Sequence, residues 1–272
     1  MATQSSEFYV KPPPGIGALV DRWIFFGMAG LFLLTVLVGF VPNSISILGE
    51  VGAGLRPALP PALHAHALLM GSWLLLLLAQ TWLMATGRKG LHTKLGIAAF
   101  AVVPAMIVAG IIVVPTMIEY NWARMAMAPP DADPAQFHVL SRFLLSVFAL
   151  QIAVGLLFAT FVGIGLAARK RDPGMHKRMM ILATAVPLAA AIDRMAFLPT
   201  TYPFSALSPP LYTVLWISPM LAWDLVRNRR WHRAYTIWFA IFVPTAMLVE
   251  LLWWHPAWLE FSAGIFGVDL PA

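Results

Sequence analysis

The chain has 272 residues, of which 60% are apolar and only 11% are charged, and its mean hydropathy is +0.78. A soluble domain carries about 25% charged residues, so this composition excludes an ordinary soluble enzyme, a disordered protein and a nucleic-acid-binding protein. The net charge of +6 comes from basic clusters between apolar runs, which indicates membrane topology. Because the chain has no cysteine, the ligands of any metal or cofactor must be His, Met, Tyr or carboxylate side chains.

The apolar residues form seven segments that are long enough to cross a membrane, which takes about 20 residues. In chain order these segments are 23–41, 63–85, 95–118, 137–168, 176–198, 211–226 and 234–254. We therefore expect an all-α polytopic membrane protein with seven transmembrane helices in residues 23–254, surrounded by the lipid bilayer. Residues 1–22 are expected to form a cytoplasmic N-terminal tail, and residues 255–272 a C-terminal segment at the outer face.

The lysines and arginines are distributed unevenly between the two ends of these segments. If the N-terminus lies inside, all but four of the 18 basic residues fall on the cytoplasmic side. The four exceptions are Arg56, Arg124, Arg142 and Arg194. Because basic residues concentrate in cytoplasmic loops, the sequence predicts a protein of a bacterial-type inner (plasma) membrane. Its N-terminus would be cytoplasmic and its C-terminus external.

Two histidines begin matching segments in the second and fourth spans. His66 is followed fourteen residues later by Gln80, and His138 is followed thirteen residues later by Gln151. Both histidines lie near the outer ends of their helices, so we expect them at the same level of the membrane. The two mid-span amides are expected to hydrogen-bond between helices, because an unpaired amide is costly at that depth.

A second pair of histidines, His92 and His176, begins the third and fifth spans at the inner face. Gly-Leu-His-Thr-Lys-Leu from Gly90 and Gly-Met-His-Lys-Arg-Met from Gly174 share the pattern Gly, apolar, His, any residue, basic, apolar. Together the two matches predict a parallel repeat, whose axis lies along the membrane normal. Spans two to five, in residues 62–199, would then form a four-helix core with two histidines at each level.

Two imidazoles on opposite sides of one site suit a six-coordinate haem iron. Haem is flat and apolar, and it fits between the helices of a bundle. Its propionates need basic partners. The candidates are Lys94 and Arg178, two residues after the inner histidines, and Arg142, one turn after His138. The pattern therefore favours two b-type haems, with four metal ligands: His66, His138, His92 and His176.

At these residues the chain resembles the transmembrane di-haem cytochrome b family that includes the ascorbate-reducible cytochromes. The run Gly-Leu-His-Thr-Lys-Leu-Gly, which contains His92, is similar to the Leu-His-x-x-Leu-Gly run around haem ligands in that family. The resemblance covers residues 62–199 and implies a four-helix core with one axial His per helix. It pairs His66 with His138 around an outer haem b, and His92 with His176 around an inner one.

The function implied is electron transfer across the membrane by a cytochrome b oxidoreductase, with a quinone or another electron carrier as its partner. Other interpretations stay open. His64 is an alternative to His66, since the two point about 200° apart on a helix. Copper is an alternative metal for His64, His66 and His138, because imidazole suits copper. A chain without any cofactor would instead be an accessory subunit of a larger respiratory or photosynthetic membrane complex.

Overall fold

In the computed structural model the chain is described over residues 15–125 and 133–268, and no strand occurs in these ranges. Six helices are long and apolar enough to cross a membrane. They are Ile16–Gly52, Pro61–Ala85, Lys89–Met125, Ala135–Ala168, Pro173–Ile192 and Arg233–Leu252. The chain is therefore an all-α integral membrane protein, as its composition predicts.

The helices are numbered here in chain order. They are α1 (Ile16–Gly52), α2 (Pro61–Ala85), α3 (Lys89–Gly96), α4 (Ala99–Met125), α5 (Pro134–Ala168), α6 (Pro173–Ala185), α7 (Ala189–Ile192), α8 (Ser208–Asn228), α9 (Arg233–Leu252) and α10 (Pro256–Phe266). Helices α3 and α4 together make one span. Helices α6 and α7 are joined by a 3₁₀ turn, Val186–Leu188, because Pro187 has no backbone N–H to continue the α-helical bonding.

The structure differs from the predicted boundaries in two places. Helix α1 begins at Ile16, so the predicted tail of residues 1–22 includes its first two turns, while residues 1–14 lie outside the described ranges. The predicted sixth span corresponds to α8, which has 21 residues but is not among the six helices that are long and apolar enough to cross a membrane. Its serines, prolines and aspartate lower its hydropathy, so composition alone supports six spans and not seven.

Aspartates begin two of the helices in the way the sequence indicates. The side chain of Asp133 accepts a hydrogen bond from the backbone N–H of Ala135, and that of Asp172 accepts one from Met175. In each case a proline follows in the first helical turn, where its missing N–H costs nothing. The second of these caps fixes the start of the helix that carries His176.

Three helices of the predicted core, α2, α5 and α6, meet at a buried tryptophan. Helix α4 packs between α2 and α5, and α5 packs against α6. The indole N–H of Trp73 on α2 donates to the hydroxyl of Thr184 on α6 at 3.0 Å, and the ring meets Phe158 of α5 edge-on at 5.6 Å. Trp73 is only 2% exposed. A packed layer of side chains therefore separates the two ends of the core.

Helix α1 and the segment after α6 pack against each other beside the four-helix core. Helix α1 contacts α2, α6, α7 and α8. Its Gly39 lies so close to α7 that an added Cβ would stand 2.1 Å from the carbonyl oxygen of Ala191. Only a glycine allows the two backbones to approach this closely. The end of the bundle that carries His92 and His176 is named the inner end below, and the opposite end the outer end.

Candidate functional site

His92 and His176 lie next to each other at the inner end. His92 is in the short helix α3 and His176 is in the first turn of α6, and both side chains are half-buried. Their ring centroids are 6.4 Å apart and the ring planes are inclined by 76°. The structure thus brings together the two inner histidines that the sequence pairs.

Each of these rings points its Nδ1 atom at a backbone carbonyl of the preceding long helix. The Nδ1 of His176 is 2.8 Å from the oxygen of Gly165 on α5, and the Nδ1 of His92 is 3.4 Å from the oxygen of Gln80 on α2. Because a carbonyl oxygen only accepts, Nδ1 carries the proton in this arrangement and Nε2 keeps its lone pair. This is the orientation that metal-bound histidines adopt.

The start of α6 is tied to α9 through Asp172. Besides capping the helix, its carboxylate pairs with the Arg233 guanidinium at 2.5 Å. The backbone N–H of Met175 and the positive charge of Arg233 together hold the pKa of the Asp172 carboxyl below its usual value. Asp172 therefore stays ionised at neutral pH and holds the turn that presents His176.

Arg178 has a different partner from the haem propionate that the sequence suggests. Its guanidinium forms a bidentate pair with Asp224 of α8, with Nε 2.6 Å from Oδ2 and Nη2 2.5 Å from Oδ1. Both residues are buried. The hydroxyl of Tyr235 donates to the same carboxylate at 2.5 Å, and the amide of Asn228 does so at 3.1 Å. Arg178 thus joins α6 to α8 directly and to α9 through the shared carboxylate of Asp224.

Asp224 and Tyr235 were not among the residues predicted from the sequence. They lie 46 and 57 residues after Arg178 in the chain, beyond the reach of any local pattern. One signal was available. Asp224 is an acidic residue near the end of an otherwise apolar segment, and such a residue is expected to have a buried partner.

The other two propionate candidates have no such partner among the described residues. Lys94 and Arg142 are both exposed, and neither forms an ion pair with another residue in the described ranges. Lys94 is on α3, two residues after His92 and about 200° around the helix from it, and Arg142 is on α5, one turn from His138. Arg142 therefore has charge available on the same face as its histidine, and Lys94 has charge available on the opposite side of α3 from His92.

The outer histidines are less closely associated than the inner ones. His66, Trp73 and Gln80 follow one another at seven-residue intervals, so they share one face of α2, and Trp73 shows that this face points into the core. His64, in contrast, is exposed. This favours His66 over His64, as the repeat does. No ring contact joins His66 to His138 in the part of the chain that the structure describes.

Several buried polar atoms of the core helices have no hydrogen-bond partner in the described part of the chain. They include Nδ1 of His66 and the side-chain oxygens of Gln80 and Gln151. The interhelical bonds expected for these two amide oxygens are therefore not formed. His66 also lacks the carbonyl partner that orients each inner histidine. The outer level is accordingly less organised for binding than the inner level.

The inner end carries a large excess of positive charge. Its acidic residues Asp21, Asp172 and Asp224 are each paired with an arginine. Most of the other lysines and arginines at this end are exposed: Arg22, Arg88, Lys89, Lys94, Arg169, Lys170, Arg171, Lys177, Arg229 and Arg230. The side chains around the two imidazoles therefore create a positive surface.

Across residues 15–125 and 133–268, no group of three or more His, Asp or Glu side chains is arranged to hold a metal ion. The candidate site is thus a pair of imidazoles, which suits a cofactor that supplies its remaining ligands itself. Comparison with protein-family models, with curated proteins and with solved structures finds no match to this chain. The geometry of the site is therefore the basis for a functional proposal.

Proposed function

We propose that the protein holds a b-type haem between His92 and His176 and transfers electrons within the membrane. The observation that supports this proposal is the inner imidazole pair, with each Nδ1 facing a carbonyl. If a metal–nitrogen bond is about 2 Å long, two imidazoles on opposite sides of one metal have centroids about 6 Å apart. The observed 6.4 Å fits that arrangement.

A haem with two axial imidazoles supplies one-electron redox chemistry when it is bound. Residues of the chain would determine how the haem is held. The carbonyls of Gly165 and Gln80 orient the rings and make their Nε2 atoms more basic. Lys94 is the candidate partner for an inner propionate. Arg178 is left out of this role, because Asp224 already occupies its guanidinium.

A second haem at the outer level is part of the proposal and is supported by the repeat. The approach of His92 and His176 to carbonyls twelve and eleven residues earlier supports the proposed repeat. By that symmetry His66 and His138 would hold the outer haem, with Arg142 near a propionate. Fourteen residues of α2 separate His66 from Gln80, a rise of about 21 Å, with the Trp73 layer between the levels. Electrons would then cross between two separate sites.

The proposed topology has seven crossings, a cytoplasmic N-terminus and an external C-terminus, in a bacterial-type inner membrane. Helix α8 contacts α7 near its start, and near its end Asp224 reaches Arg178 in the second turn of α6. It therefore runs the length of the α6–α7 span in the opposite direction and would cross the same thickness. The excess of exposed basic residues at the inner end supports the cytoplasmic assignment of that end.

One observation favours a second candidate function, that of a cofactor-free accessory subunit in a larger membrane complex. The middle of the four-helix core is already filled by Trp73, Phe158 and Thr184, so the bundle needs no cofactor there to close. Such a subunit would bind its partner complex through exposed apolar helix faces. A quinone or a soluble electron carrier would be the partner under the haem proposal.

The deciding experiment is the dithionite-reduced minus air-oxidised visible spectrum of protein purified from haem-sufficient cells. We expect b-type bands that weaken in His92→Ala and in His176→Ala and persist in the control His64→Ala. A haem-to-chain ratio of about two would support both levels, and a ratio of about one the inner level alone. A colourless protein would overturn the proposal. Bound copper would then indicate the copper alternative, and a metal-free preparation the accessory subunit.

A further inference from the structure

The two inner imidazoles are held very differently, and His176 is the firmly held one. Its Nδ1 is 2.8 Å from the Gly165 carbonyl. The turn that carries it is fixed by the Asp172 cap and by the buried pair between Arg178 and Asp224. Its neighbour Met175 is only 3% exposed. Moving His176 would therefore break contacts with three other helices.

His92 lies on an element with few contacts. Helix α3 has eight residues, and none of them is buried. Its apolar side chains Leu91 and Leu95 are 51% and 39% exposed. The Nδ1 atom of His92 is 3.4 Å from the carbonyl of Gln80, which is longer than a normal N–H···O bond of about 2.7–3.2 Å. None of the described side chains of α3 takes part in an ion pair.

This difference has a consequence for local stability. Helix α3 is the first part of the span that α4 continues, and none of its own residues is buried, so packing adds little to its stability. Segments with few buried contacts and exposed backbone open with a low free energy, independently of the rest of the fold. Helix α3 is therefore able to move away from the site while α6 stays in place.

We propose that His92 is an exchangeable ligand, and that the inner site takes up a small neutral molecule with a lone pair, of the carbon monoxide, nitric oxide or imidazole class. The inference rests on the proposed haem site and adds ligand binding to electron transfer. The exchange would break the bond between Nε2 of His92 and the haem iron and form a bond from the iron to the incoming atom, with no electron or proton transferred. His176 would stay bound.

Carbon monoxide added to the dithionite-reduced protein is the direct test. We expect a CO difference spectrum in the wild type. We expect at least a tenfold higher CO affinity in His92→Ala, where no internal imidazole competes. The control His64→Ala changes an exposed histidine and should leave CO binding unchanged. A reduced protein that contains haem but gives no CO spectrum at saturation would overturn the inference and leave the haem proposal standing. A protein without haem would fail the haem proposal instead.

Hydrogen–deuterium exchange supplies a measurement that does not depend on haem. In the purified full-length protein, amides of residues 89–96 should exchange faster than those of residues 173–180, by on the order of 100-fold. Both segments lie at the inner end and both carry one histidine of the pair. Equal protection of the two segments would overturn the inference whatever the haem content.

Discussion

Arg178 and Asp224 form a bidentate ion pair that is shielded from solvent. The Nε–Oδ2 and Nη2–Oδ1 distances are 2.6 and 2.5 Å, and each side chain is only 8% exposed. The Tyr235 hydroxyl completes the carboxylate's contacts from α9. Since α6, α8 and α9 meet at this pair, it joins the helix of His176 to the part of the bundle outside the four-helix core.

Asp224→Ala should destabilise the protein strongly. The substitution leaves the Arg178 guanidinium buried without its counter-ion, which costs about 3–5 kcal/mol in comparable cases. The measurement is denaturant unfolding in detergent micelles. Asp21→Ala is the matched control, because the pair of Asp21 with Arg227 is largely exposed and should contribute less than about 1 kcal/mol. If the two substitutions lowered the free energy of unfolding equally, the buried pair would contribute no more stability than the exposed one.

Gly39→Ala should also destabilise the protein, by about 1–3 kcal/mol, the usual cost of overpacking. The new methyl group would lie 2.1 Å from the Ala191 carbonyl oxygen, so α1 must shift away from α7. Gly30→Ala, on the same helix, is the control. A Cβ at Gly30 meets nothing within 4 Å, and alanine is the better helix former there. A Gly39→Ala protein as stable as Gly30→Ala would contradict the close α1–α7 contact.

The stability of the protein should fall in acid partly through Asp172. Its pKa is lowered in the folded protein by the Met175 N–H and by Arg233. The carboxylate therefore contributes stability that is present above its unfolded pKa of about 3.9 and is lost as the pH falls through the lower folded pKa. Asp172→Asn keeps an N-cap but removes the charge.

The check on Asp172 is a pH series of unfolding midpoints for the wild type and for Asp172→Asn. Below about pH 4 the wild type should lose stability more steeply than the variant. Arg233→Gln, which removes only one of the two groups acting on the carboxylate, should give an intermediate slope. Identical pH profiles for all three proteins would show that Asp172 has no role in acid stability.

The parts of the fold and site that the sequence predicted are those set by local pattern. The helical membrane class follows from the apolar segments, and the starts of α5 and α6 follow from Asp133 and Asp172 with their prolines. The pairing of His92 with His176 also depended on short motifs at helix starts. The partner of Arg178 could not be predicted from such motifs, because Asp224 is 46 residues away and only the packing of α8 brings it near. For His66 and His138 the rotation of two helices decides whether the rings meet, and spacing does not determine rotation.

If the inner pair holds haem as proposed, the inclination of its two rings gives a spectroscopic prediction for the oxidised protein. The planes of His92 and His176 are 76° apart, close to perpendicular. Near-perpendicular axial imidazoles give low-spin ferric haem a strongly anisotropic electron paramagnetic resonance spectrum, dominated by one low-field feature. Parallel rings give a more rhombic spectrum. We therefore expect the low-field type from the inner site.

The signal is assigned with the same variants that test the site. The low-field feature should disappear in His176→Ala, which loses the firmly held ligand, and should persist in His66→Ala, which alters only the outer level. A rhombic spectrum that depends on His176 would mean that the rings rotate toward parallel when haem binds, because the Gly165 and Gln80 carbonyls do not then fix both planes. A low-field feature that survives in His176→Ala would place its source outside the inner pair.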